Sequence, residues 1–152
     1  MVDRLRGPRG VELLQGETIT LAASAARTAS ANGTAVFIGG ERRRFIVVNA
    51  ITASATAAGD VADIYVDFSL DDTTYYNAIH FTQQAGDGSA RTEYAVLDPS
   101  APGAATIDVT ADATTGVVRP SLFGPYIRAR WALTDGGGGD TSHTFSVIAY
   151  AI

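Results

Sequence analysis

The sequence predicts an all-β sandwich, and three observations carry that prediction. Clusters of β-branched and aromatic residues recur along the chain, separated by Gly, Asp, Ser and Pro, the pattern of a sandwich or barrel. Two clusters alternate with period two. Ile64, Val66, Phe68 and Leu70, expected on a core face, alternate with Tyr65, Asp67 and Ser69, expected outward, and Ile127, Ala129, Trp131 and Leu133 with Tyr126, Arg128 and Arg130. The one helical rival, Leu21 to Ala31, is rich in alanine but has no apolar stripe, and Asn32-Gly33 ends it, so it reads as a strand followed by a loop.

Strands are expected over 11–14, 17–23, 34–38, 44–53, 62–70, 75–83, 91–97, 105–110, 117–122, 125–133 and 143–151. Residues 1–10 form an N-terminal arm with three arginines, two glycines and a proline, and 11–152 a single domain. Asp71-Asp72-Thr73-Thr74 and Gln84 to Ser89 are hairpin loops, and Asp98 to Gly103 is a longer connection. The last two strands read as a β-hairpin around Gly136 to Gly139. One face of it, Ile127, Ala129, Trp131, Leu133, Phe145 and Val147, is expected in the core. Phe45-Ile46-Val47-Val48 is apolar on both faces, as in a strand that is central or covered by another chain.

A chain of 152 residues is long enough to bury roughly 68–70% of its unfolded surface. It has no cysteine, hence neither disulfides nor thiolate metal sites. No apolar run reaches the ~18–20 residues of a membrane span, and the basic start leads into no apolar signal segment. The net charge of −5 argues against nucleic acid as a partner. All eleven basic residues are arginines, a usage expected of a GC-rich genome and suited to fixed contacts with carboxylates.

No constellation in the chain points to catalysis. His80 and His143 read as surface or interface histidines, since no nucleophile elbow accompanies them and Ser142 and His143 point to opposite faces of a strand. The aspartates 60, 63, 67, 71 and 72 fall mostly at turns, where aspartate bonds its own backbone. Asp135 and Asp140 flank four glycines in a loop that offers room for a cation but reads as a flexible tip, because ordering four glycines is entropically costly. No catalytic, cofactor or metal residues are therefore assigned. Arg42-Arg43-Arg44 is too short for a nucleic-acid patch; it fits an acidic protein partner or a solvated strand entry. The tyrosines 65, 75, 76, 94, 126 and 150 suit sugar stacking, a protein interface or the core.

Several strings together resemble a known group. They are Arg27-Thr28-Ala29-Ser30, then Asp63 to Tyr76 followed by Phe81-Thr82-Gln83, then Gly124 to Trp131, then Thr144 to Val147. In this order they resemble small tailed-phage and prophage head proteins likened to capsid decoration (cement) proteins. The group usually has glycine where this chain has Asp72, and its last loop is here poly-glycine. The resemblance implies a jelly-roll-like antiparallel β-sandwich with an extended N-terminal arm. It also implies a homotrimer on the outer capsid surface of the virion, made in the host cytoplasm and clamping major capsid protein. Val11 to Ile19 and the arm, with Arg4, Arg6 and Arg9, would contact the shell or a neighbour, as would Arg42, Arg43 and Arg44. Tyr126, Arg128, Arg130, Ile148, Tyr150 and Ile152, sharing the outer face of the terminal hairpin, would make subunit contacts. Alternatives are a carbohydrate-binding sandwich using exposed tyrosines and Trp131, and a tail or baseplate component.

Overall fold

The computed structural model describes residues 16–39, 43–54, 57–101 and 106–152, which hold eleven strands and no helix. The long strands are β1 (Thr18–Arg27), β4 (Phe45–Ser54), β5 (Val61–Ser69), β6 (Tyr75–His80), β8 (Arg91–Leu97), β10 (Tyr126–Thr134) and β11 (His143–Ala151). Four two-residue strands complete the set: β2 (Ala31–Asn32), β3 (Val36–Phe37), β7 (Gln84–Ala85) and β9 (Val117–Val118). One sheet runs β1-β11-β4-β8 and the other β2-β10-β5-β6-β9, with β3 also on β10 and β7 on β5. Every pairing is antiparallel. The chain crosses between sheets at six of the ten steps from strand to strand, and only β5-β6 is a hairpin of long strands. That strand order is a jelly roll.

The terminal hairpin is not there. β10 pairs with β5 across its whole length and β11 pairs with β1 and β4, so the last two strands lie in opposite sheets. Alternation forced the error: two strands with inward apolar faces look alike whether they sit side by side or face each other across a core. They face each other. Trp131 of β10 and Phe145 of β11 meet edge to face, ring centroids 5.7 Å apart, and Phe145 has no exposed surface. The core between the sheets joins Ile19, Leu21, Val47 and Val147 to Ile64, Val66, Phe68 and Ile127. Trp131 is partly buried against this cluster and Leu133 is half-buried, so the inward face of β10 thins towards its end.

Four further expectations need correcting. Leu70 lies beyond the end of β5 and is 68% exposed. Tyr65, Asp67 and Ser69 face away from the main core yet are buried. The reason is a second layer. Residues 106–110 form no strand, and the segment after them lies over this sheet, where Ala113 accepts a contact from His80 Nδ1 at 2.7 Å and donates to Asn77 Oδ1 at 2.9 Å. Both histidines are buried too, His80 by that layer and His143, with no exposed surface, inside the sandwich. The expected strand 11–14 lies outside the described residues.

The β5-β6 turn matches the sequence reading. Asp71 Oδ1 accepts the N–H of Thr73 and Thr74, and Asp72 adopts a left-handed φ of 61°. This is where the resembling group carries glycine, and aspartate is among the few side chains that tolerate the region.

The outer strand β1 is irregular, with register shifts between Thr20 and Ala22 and between Ala22 and Ala25. At its end, Arg27 donates to the carbonyls of Ala23, Ala25 and Phe145 at 2.7–2.8 Å, and its guanidinium lies 4.6 Å from the Trp131 ring centroid and 4.2 Å from that of Phe145.

Candidate interaction surface

Burial alternates along β8, along β11 and along β4 as far as Ile51, so every second residue of these strands faces outward, and many of these are apolar. The register aligns them in rows. Tyr150 stands beside Ile46, and Ile46 beside Val96; one step along, Ile148 stands beside Val48, and Val48 beside Tyr94. Thr18 and Thr20 continue the two rows on β1. Tyr94 is 74% exposed, and Val96 and Tyr150 are also exposed. No described segment covers this face, whereas the outer face of the opposite sheet carries the second layer.

The six residues expected to share one contact face therefore divide. Ile148 and Tyr150 belong to the apolar face, with Ile152 exposed at its corner. There the structure also brings Arg43, Arg44, Asp98, Pro99 and Ser100 around one recess with Ile152, and Arg44 pairs with Asp98 at 2.8 Å. Ser100, donating from its side chain and backbone, holds the Asp98 carboxyl below its usual range, with Arg44 adding to this. Gly16 donates to Ala151 and Ile152 to Arg44 at the same corner. Arg4, Arg6, Arg9 and Arg42 lie outside the described residues.

Tyr126, Arg128 and Arg130 sit on the other sheet and are committed internally. Tyr126 packs edge to face on Phe37 at 5.1 Å. Arg130 donates to Asp67 at 2.8 Å and to Asp112 at 2.7 Å, with its guanidinium 4.0 Å from the Tyr65 ring centroid. Burial works to lower the Arg130 pKa, but the two carboxylates outweigh it and hold the charge firmly. Arg128 lies 3.5 Å from the same Asp67 carboxylate and stacks 3.6 Å from the Tyr75 ring centroid. Through Asp112, Arg130 fastens the second layer to the sheet, while Arg128 is held within the sheet by Asp67 and Tyr75.

Tyr75 carries a measurable consequence. Desolvation first, then the hydrogen bond its hydroxyl donates to Asp72, pushes its pKa up from 10.0 to about 12, with Arg128 pulling the other way. The folded chain thus retains a proton that the unfolded chain releases near pH 10. The associated stability is complete below that pH and lost as pH rises towards 12. Ultraviolet phenolate titration should show a late transition that Tyr75→Phe diminishes; ionisation of every tyrosine near its ordinary value would contradict this.

The tyrosines also bear on the carbohydrate alternative. Tyr65 is buried, while Tyr75, Tyr76 and Tyr126 are half-buried. Trp131 is no stacking platform, since Arg27 covers its ring and its Nε1–H donates to Ala29 at 3.0 Å. The feature missed from sequence was Thr92, Tyr94 and Val96. Their alternation with Glu93, Ala95 and Leu97 was legible, but neither set is clearly the polar one.

No protein-family model matches this chain, and no curated protein matches its sequence. Among solved structures it is similar to a chain in the structure of infectious bursal disease virus, Gx strain, with 13% identity and a TM-score of 0.49. The similarity covers 100% of this chain, which spans 37% of the length of the other.

Proposed function

We propose that this chain is a virion structural protein, a capsid decoration or cement subunit that associates with copies of itself as a homotrimer and binds the outer surface of a phage head. The observation that carries the reading is the uncovered apolar sheet face. Four strands about 4.8 Å apart, each with outward side chains about 7 Å apart, give a face of roughly 300 Å² in projection. The largest apolar patch on a single chain is typically about 300–600 Å² and is often functional. A standard interface takes about 800 Å² from each partner, so rim residues would join it, and the Ile152 corner with Arg43 and Arg44 adjoins it. Gly16 lies at this corner, and in this reading the arm that precedes it contacts a neighbouring shell subunit. The phage-like strings identified in the sequence support the same reading.

Val48→Glu, in the middle of the face, places a charge where a partner would bury it. By light scattering, the wild-type chain is expected as a trimer and the variant as a folded monomer that no longer coats shells stripped of the protein. A wild-type monomer at micromolar concentration that ignores such shells would overturn the proposal. The carbohydrate-binding alternative instead requires glycan binding that is lost in Tyr75→Ala or Tyr76→Ala.

A further inference from the structure

The poly-glycine loop between β10 and β11 meets a residue far from it in sequence. Asp60, just before β5, is fully buried, and its Oδ1 accepts the N–H of Gly136 at 2.8 Å. The two loops touch through glycines: a Cβ on Gly136 would fall 2.3 Å from the Gly59 carbonyl carbon. Asp135 organises the rest, accepting from Gly137 N–H at 2.8 Å and Gly139 N–H at 2.9 Å, while Gly137, Gly138 and Gly139 all take positive φ. The loop is therefore shaped by carboxylates and is not the free tip expected from its composition. Glycine is needed here for its backbone conformation.

This arrangement places one carboxylate oxygen from each of Asp60, Asp135 and Asp140 within 4.8 Å of the others. Two buried groups at the same place lack partners. Asp60 Oδ2 has no hydrogen-bond partner, and neither does the hydroxyl of Thr141, which is more than nine-tenths buried and lines the same cavity as Asp135 and Asp140. No arginine pairs with any of the three aspartates among the described residues. Buried oxygens of this kind are ordinarily satisfied, and three clustered carboxylates without a cation repel one another.

We propose that Asp60, Asp135 and Asp140 bind a divalent cation of the calcium type, beside the buried, unpartnered Thr141 hydroxyl. All the donors are hard oxygens, and a glycine-rich loop suits the irregular six- to eight-fold shell of calcium better than the strict octahedron of magnesium. Backbone carbonyls and water would complete the shell. The ion would tie the loop before β5 to the loop that crosses between the sheets, at the end of the sandwich opposite the Ile152 corner. The site stands independently of the assembly proposed above.

Calorimetric titration of the full chain with calcium chloride alone tests this. One site per chain is expected, with a dissociation constant between about 10⁻⁵ and 10⁻³ M. Saturating calcium should also raise Tm by about 5 °C, reversed by chelator. Asp140→Asn is the decisive variant, because the Asp140 side chain is exposed and caps no backbone group. It should fold as wild type in chelator and bind calcium at least about tenfold more weakly. Asp60→Asn should also lose binding. Absence of binding up to about 10 mM calcium, or wild-type affinity in Asp140→Asn, would overturn the proposal.

Discussion

Asp67→Asn is expected to destabilise the protein by about 3–5 kcal/mol, the usual result of removing one partner from a buried ionic group. Asp67 is 2% exposed and faces Arg130 at 2.8 Å, Arg128 at 3.5 Å and Asn77 Nδ2 at 3.2 Å. The amide keeps the shape and one acceptor but leaves two partly buried guanidinium groups without their shared counter-charge. Asp112→Asn is the control. It touches the same Arg130, but its side chain is 43% exposed, and exposed pairs are worth about 0–1 kcal/mol. Urea unfolding of both variants checks the contrast. Equal losses would show that Asp67 is not the centre of this network.

Phe145→Ala is the second large effect, at about 3–5 kcal/mol. The Phe145 ring is fully buried, packs edge to face on Trp131 and lies under the Arg27 guanidinium, so it joins three strands and both sheets. Its loss opens a cavity and takes one face from a stack that includes the Trp131 indole. Tryptophan fluorescence should shift to the red in the folded variant, and the urea midpoint should fall with little change in slope. A loss below about 1 kcal/mol would mean that the sheets close over the gap.

These two residues also mark what the sequence disclosed. Alternation placed Phe145, Ile127, Val66 and Phe68 in the core, and all four are buried. It assigned Asp67 to water, because period two separates two faces without saying whether the second is covered. Covering came from 111–113, a segment without apolar periodicity that is held by Asn77, His80, Arg119 and Arg130.

The hairpin error had a readable warning. Residues 135–142 make a longer connection than the two to five residues usual for a hairpin, and the jelly-roll topology implied by the resemblance already places the final strands in different sheets. The apolar face was half legible, through the two-sided apolar character of 45–48 and of the final strand. Its Tyr94 and Val96 edge depended on β8 pairing with β4. The aspartate cluster was legible only in part: Asp135 and Asp140 flank the glycines in sequence, but Asp60 reaches them only through the meeting of two glycine-bearing loops.

Arg27 has one more consequence. By capping the carbonyls of Ala23 and Ala25, on a strand already broken by two register shifts, it leaves the β1 margin of its sheet with few straight, open acceptors for an incoming strand. Unprotected sheet margins recruit further strands and grow into fibres. A chain blunted on that side is steered towards joining its copies through broad surfaces of fixed extent. Such contacts close after a set number of members, whereas a margin left open could be extended without limit.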